Sequence, residues 1–270
     1  MSDFLQNMAS SSAARAAAVS PSFSSADFDK PVVPLSLGVF DVIAEIKERS
    51  PAEGDLSHGD DDRVARAQSY AAGGAAAISV LTEPSRFDGA LEHLEEVAAA
   101  VPDVPVMRKD FLVESVQILE ARKAGASGVL LIAAMLSDAR LREMLDTAWE
   151  HDLFVLLECF DEEDLRRTSA LLEGATDSGK AESEQLLVGV NTRNLRTLEV
   201  DADRLMNLAP ALPAARCVAE SGLLTTDDAM RVAEYGYEMA LVGTALMRSA
   251  DPASLIAAMR EAGVTARANT

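Results

Sequence analysis

Val42-Ile43-Ala44-Glu45-Ile46-Lys47 is a short apolar run that ends in charge, and the chain repeats this layout. Val104-Pro105-Val106-Met107-Arg108-Lys109-Asp110-Phe111, Phe154-Val155-Leu156-Leu157-Glu158, Leu187-Val188-Gly189-Val190-Asn191-Thr192-Arg193, Cys217-Val218-Ala219-Glu220-Ser221-Gly222 and Ala240-Leu241-Val242-Gly243-Thr244 follow the same plan. Apolar runs of about four to six residues bounded by turn signals read as strands buried on both faces. A polar side chain at the end of such a strand sits where the sheet stops and solvent or ligand begins. Repeated ends of this kind predict one site shared by many strands.

Outward from these runs, strands are expected to start near Val42, Ala75, Val104, Ser127, Leu153, Leu186, Arg216 and Glu238. Helical patterns lie between them. Leu91, Leu94, Val97 and Val101 keep one helical face, and Leu141, Met144, Leu145 and Ala148 keep another behind an N-cap at Ser137. Asp161, Thr225 or Thr226, and Asp251 before Pro252 are further helix starts. Gly125, Gly236 and Gly263 are read as helix ends. Strands that each precede a helix, at this count, make an α/β fold of the (β/α)8, or TIM barrel, type. An open doubly wound sheet is the alternative; it usually carries a Gly-rich first turn, which is absent here. In a barrel the polar strand ends meet at one face. The expected organisation is an N-terminal extension over 1–40, a barrel over 41–265 and a tail over 266–270. In the extension, Phe4 to Val19 reads as a short helix with Phe4, Leu5 and Met8 on one side, and Ser20 to Pro34 as a linker. Gly174 to Gln185 reads as a polar surface insert on the face away from the site.

Composition narrows the function classes. The chain has 270 residues, of which 49% are apolar, enough for a full core. No apolar run approaches the roughly 18 residues of a membrane span. The N-terminus lacks a basic segment followed by an apolar one, so a cytoplasmic location is expected. The formal net charge of −20 argues against nucleic acid and anionic membrane as partners. It fits either a salt-rich cytoplasm or a GC-rich genome that favours Ala and Arg codons. Cys159 and Cys217 read as buried thiols rather than a disulfide. His58, His93 and His151 have no ligand spacing, so no metal is expected. Lysine occurs only at Lys30, Lys47, Lys109, Lys123 and Lys180, and Lys47 and Lys109 end apolar runs. Positive charge kept at those ends points to an anionic ligand.

The strand ends carry a chemistry. Glu45 and Lys47 lie two apart on one strand and share a face. Lys109, Glu158, Asn191, Arg193 and Glu220 end other strands. Carboxylates and lysines around one mouth shift each other's pKa values and suit general acid–base work; a structural ion-pair ring is the alternative. Ser221-Gly222 and Gly243-Thr244 follow the last two strands, where backbone N–H groups and a short helix start make a phosphate cradle. Pro51, Phe87 and Phe111 are placed to wall a flat apolar group, or simply to pack loops.

From about Val42 to Gly263 the chain resembles the indole-3-glycerol-phosphate synthases, (β/α)8 enzymes of tryptophan biosynthesis. The resemblance rests on Ile43-Ala44-Glu45-Ile46-Lys47 with Ser50-Pro51, Ile78-Ser79-Val80-Leu81-Thr82, Arg108-Lys109-Asp110-Phe111 and Leu157-Glu158. It continues in Gly189-Val190-Asn191-Thr192-Arg193-Asn194-Leu195, Ala219-Glu220-Ser221-Gly222 and Leu241-Val242-Gly243-Thr244-Ala245-Leu246-Met247. It implies ring closure of 1-(2-carboxyphenylamino)-1-deoxyribulose 5-phosphate to indole-3-glycerol phosphate, with loss of carbon dioxide and water and no cofactor. By the same resemblance Lys109 is the general acid, Lys47 grips the substrate carboxylate and Glu158 handles protons in dehydration. Glu45 and Asn191 position the substrate and lysines, and Glu220 bonds sugar hydroxyls. Ser50, Gly222, Gly243 and Thr244 hold phosphate, with Ser221 and Arg193 beside them. Pro51, Phe87, Phe111 and Leu131 form the apolar slot. A small phosphorylated anion is the implied partner, with the protein a monomer or weak homodimer.

The chain also departs from the pattern. The family often reads Ser-Pro-Ser-Lys-Gly after its first strand, where this chain has Ser50-Pro51-Ala52-Glu53-Gly54. Two rivals stand beside the ring closure. One is a phosphoribosylanthranilate-isomerase-like barrel, whose chemistry needs one acid and one base. The other is an inactive barrel that acts as a sensor of a phosphorylated ligand or as an assembly subunit.

Overall fold

A computed structural model describes residues 3–20, 22–50, 54–56, 63–176, 185–196, 200–201 and 203–269. The chain opens with α1 (Asp3–Ala18), then β1 (Asp41–Ile46), α2 (Arg63–Ala72), β2 (Ala77–Leu81), the single-turn α3 (Pro84–Phe87) and α4 (Leu91–Ala100). It continues through β3 (Val106–Lys109), α5 (Ser115–Ala124), β4 (Gly128–Ile132), α6 (Asp138–Glu150), β5 (Phe154–Cys159) and α7 (Glu162–Thr176). The last part is β6 (Leu186–Asn191), α8 (Arg204–Leu208), β7 (Arg216–Glu220), α9 (Thr226–Glu234), β8 (Met239–Val242), α10 (Thr244–Arg248) and α11 (Pro252–Arg267). The eight numbered strands are parallel and close into one barrel in the order β1-β8-β7-β6-β5-β4-β3-β2. Ile43 of β1 pairs with Leu241 on one side and Ala77 on the other, which is the seam that removes both sheet edges. Every residue of β1, β2, β4, β5, β6 and β8 is buried. One face of each fills the barrel and the other lies under helices, so the sequence shows unbroken apolar runs instead of alternation. Among the described residues no helix is long and apolar enough to cross a membrane.

The helix starts follow local chemistry. Ser137 Oγ accepts from the Arg140 amide, Asp161 Oδ1 from that of Asp164, Thr225 Oγ1 from that of Asp228 and Asp251 Oδ1 from that of Ser254. Gly125 and Gly236 close helices at φ of 101° and 105°, as expected. Gly263 does not. It lies inside α11, and a Cβ there would come within 2.1 Å of the buried Phe40 ring. This glycine is required by close approach of the helix to the ring, not by a turn. Gly263→Ala is expected to cost about 1–3 kcal/mol by overpacking, read as a lower melting temperature with ring-closure kinetics unchanged. Of the insert after α7, residues 177–184 lie outside the described residues.

The N-terminal helix buries Leu5, Met8, Ser12 and Ala16, one stripe at helical spacing. That stripe faces the end of the barrel where the strands terminate. Gln117 Nε2 donates to Ser12 Oγ at 2.9 Å, and the Phe4 ring meets the Phe111 ring edge-on at 6.0 Å.

Candidate active site

A cavity of about 520 Å³ opens at the C-terminal ends of the strands. Glu45 and Lys47 come to it from β1, Lys109 from β3, Glu158 from β5, Asn191 and Arg193 from the end of β6, Ser221 and Gly222 from the loop after β7, and Gly243 and Thr244 from that after β8. Its apolar wall includes Phe4, Leu81, Phe87, Phe111, Leu130, Ile132 and Leu195. Phe87 and Phe111 stand 6.3 Å apart between ring centres. The two rings therefore pack against each other, and the cavity combines charged groups with an apolar wall.

The charged side is a linked cluster. Lys47 Nζ lies 2.7 Å from Glu45 Oε1, and Lys109 Nζ lies 3.0 Å from Glu45 Oε2 and 3.4 Å from Glu220 Oε2. Burial alone would raise the Glu45 pKa, but Lys109 and Lys47 outweigh it and hold the carboxyl at about 2. Burial alone would lower the Lys109 pKa; the charges of Glu45, Glu220 and Glu158 reverse that and keep the ammonium protonated beyond its usual range. Glu158 and Glu220 go the other way. Burial raises both, and for Glu220 the neighbouring Glu158 carboxyl adds to the rise. The site thus holds an ionised carboxylate, a charged ammonium and two buried carboxyls both shifted towards the neutral form.

These shifts have opposite consequences for stability. Glu45 stabilises the fold above its ordinary carboxyl pKa, and that contribution is lost as pH falls towards about 2. Glu220 has a raised pKa, so the fold binds its proton more tightly than the unfolded chain does, and stability is lost as pH rises through the folded value. Glu220→Gln keeps the neutral shape. It is expected to raise the melting temperature at neutral and alkaline pH, by about 2–4 °C for each kcal/mol recovered, and to flatten the alkaline decline. Thermal unfolding followed across pH checks this; a variant less stable than wild type at pH 8 would contradict it.

Glycines make the close approaches possible. A Cβ on Gly243 would fall 2.2 Å from Glu45 Oε1 and 2.8 Å from Lys47 Nζ, and one on Gly189 would fall 1.9 Å from Glu220 Oε1. Ser221 and Gly222 both have positive φ, 68° and 75°, which turns the chain sharply at the end of β7. Gly243 caps α10, whose first N–H groups lack helical partners.

A model of the family described as indole-3-glycerol phosphate synthase matches residues 11–259. An indole-3-glycerol phosphate synthase of Nocardioides sp. is 49% identical over 81% of this chain and 79% of its own length. That of Methanopyrus kandleri is 45% identical over 82% of this chain and 83% of its own. The chain belongs to the indole-3-glycerol phosphate synthase family. Among solved structures, 3-hexulose-6-phosphate synthase of Salmonella typhimurium aligns with a TM-score of 0.60 at 14% identity, covering 84% of this chain and all (100%) of that one. At that identity it shares the barrel and nothing finer.

Members of the indole-3-glycerol phosphate synthase family are carboxy-lyases of tryptophan biosynthesis, and this chain brings most of the residues expected from its sequence into one cavity. Glu220 lies beneath the cavity, reached through Lys109. Leu131 does not line the cavity. It is fully buried, and its neighbours Leu130 and Ile132 face the ligand space instead. Strand side chains alternate, so an error of one residue puts the wrong leucine inside. Pro51, with Ala52 and Glu53, lies outside the described residues, as does the side chain of Ser50. Phe4, Arg86, Asp110 and Leu195 border the cavity and were not singled out from the sequence as pocket residues. In the sequence Phe4 marks only one side of a helix. Arg86 sits in α3, next to the expected Phe87, where no pattern marked it.

Proposed function

We propose that the mouth of this barrel converts 1-(2-carboxyphenylamino)-1-deoxyribulose 5-phosphate to indole-3-glycerol phosphate, carbon dioxide and water. The observation that carries the reading is the cluster of Lys109 between Glu45 and Glu220, at a cavity whose apolar wall includes Phe87 and Phe111. The ring carbon that bears the carboxylate attacks the C2 carbonyl carbon. Lys109 gives its proton to the carbonyl oxygen as the new bond forms. Glu45, held ionised by both lysines, keeps that ammonium aimed. Carboxylate loss then returns an electron pair to the ring. It is favoured where the ring lies in an apolar slot and Lys47 anchors the carboxylate only until the bond breaks. Dehydration follows: the new hydroxyl takes a proton and leaves, and the C1 carbon gives up a proton to complete the aromatic ring. Glu158 handles these protons, and Glu220, buried behind the cavity, holds Lys109 from below rather than meeting the sugar hydroxyls that the resemblance assigned to it. Asn191 accepts from the Arg193 amide at 2.9 Å, which sets the loop that carries the Arg193 guanidinium to the cavity.

The phosphate end goes to the Ser221-Gly222 turn and the Gly243-Thr244 helix start, with Ser50 on the first loop. Arg193 stands beside them as a further cation. No cofactor is required by any of these steps. We place the protein in the cytoplasm, as a monomer or weak homodimer that acts on a small anion. At a net charge of −20 its general surface repels nucleic acid and anionic lipid.

Adding the carboxyphenylamino sugar phosphate to the protein and following indole fluorescence tests the reading. Appearance of indole fluorescence with one carbon dioxide per turnover is expected. Binding without turnover, or isomerisation of a phosphoribosyl amine instead, would replace it with one of the two rivals.

A further inference from the structure

We propose that Arg15, on the N-terminal helix, is a positioning residue for proton transfer at Lys109 and acts through Asp110. The proposal rests on the ring-closure reading above.

Asp110 directly follows Lys109, the last residue of β3. Its carboxylate is buried, and the Arg15 guanidinium grips it with both forks: Nη1 donates to Oδ2 and Nη2 to Oδ1, each at 2.7 Å. The same carboxylate accepts from Thr82 Oγ1 at 2.9 Å, from Arg108 Nη2 at 3.3 Å and from the Phe111 amide at 2.7 Å. Burial would raise the Asp110 pKa, but Arg15 and Arg108 outweigh it and keep the group ionised. A two-pronged guanidinium contact fixes orientation as well as distance. Consecutive side chains at a strand end leave the backbone in opposite directions. A clamp on Asp110 therefore sets the peptide from which Lys109 projects. The Lys109 carbonyl is held as well, by the Thr82 amide at 3.0 Å.

Arg15 itself does not border the cavity, whereas Phe4, at the start of the same helix, does. One helix therefore delivers two separable effects. Phe4 adds apolar wall where the substrate ring lies, and Arg15 orders the strand end that carries the acid. Without Arg15, Asp110 keeps Arg108 and Thr82, so the strand end stays folded but loses its most directional contact.

The test is steady-state ring closure by full-length Arg15→Met, Arg15→Lys and Phe4→Ala, each first checked for folding by circular dichroism. Misplacing a reacting group by about an ångström can cost up to about 100-fold. Arg15→Met is expected to lower kcat about tenfold or more, with KM within about threefold of wild type. Arg15→Lys keeps the charge but not the fork and should recover part of the loss. Phe4→Ala should raise KM instead, with kcat within about threefold. A wild-type kcat in Arg15→Met overturns the proposal, and so does a raised KM with kcat unchanged, which would make the helix a lid and nothing more. Should Arg15→Met not fold, Arg15→Lys decides: a several-fold lower kcat supports the proposal and a wild-type kcat overturns it. An inactive wild-type protein would overturn the ring-closure reading and the proposal together. An active wild type with an unaffected Arg15→Met overturns the proposal alone.

Discussion

Lys109→Ala is expected to lower kcat by about 10²–10⁴-fold, the usual loss when one acid–base group is removed, while the barrel stays folded. Lys109 is the ammonium that reaches both Glu45 and Glu220, and the carbonyl oxygen has to gain a proton as the ring closes. Removing a partner from a buried ion pair is often severe because it strands a charge. Here the stranding is limited. Glu45 keeps Lys47 at 2.7 Å, and the Glu220 carboxyl is already pushed towards its neutral form. Because Lys109 acts in the first bond-forming step, carbon dioxide release should fall by the same factor as indole formation. Single-turnover assays of both products check this. A folded Lys109→Ala protein with near wild-type rates would remove Lys109 from the mechanism.

Glu158→Gln is expected to cost a similar factor, about 10²–10⁴ in indole formation, but at a later point. Glu158 is assigned to dehydration, after carbon dioxide has left. The variant should therefore release carbon dioxide in the first turnover faster than indole fluorescence appears. Glutamine keeps the size of the side chain and its reach towards Asn191 and Glu220, so KM should move by less than about threefold. Equal slowing of both products would place Glu158 at ring closure instead and merge its role with that of Lys109.

Much of this arrangement was legible in the chain because strands and helix caps are local. Eight apolar runs, each followed by a helical stripe, predict the barrel, and their starts agree with the structure to within a couple of residues at Asp41, Arg216 and Met239. The polar ends were legible for the same reason: a charged residue after a buried run has few places to go but the rim. What failed was finer. Leu131 was placed in the slot, whereas Leu130 and Ile132 line it, since one residue of register reverses the face. Gly263 reads as a helix end in the sequence because nothing in its neighbourhood names Phe40, its contact across the fold.

By itself the sequence determined the repeating strand–helix plan, the polar residues that crown it and the family to which the chain belongs, all properties of near neighbours or of ordered motifs. Only the tertiary structure decided which charges meet. Barrel closure brings Glu45, Lys109 and Glu220 from β1, β3 and β7 to within hydrogen-bonding reach. Their protonation follows from burial and separation, and neither is written in any local stretch. The same holds for the N-terminal helix. Its composition shows only a weak amphipathic segment, but packing places Phe4 against the slot and Arg15 on Asp110, because the ends of the strands offered that helix an apolar face and a buried carboxylate.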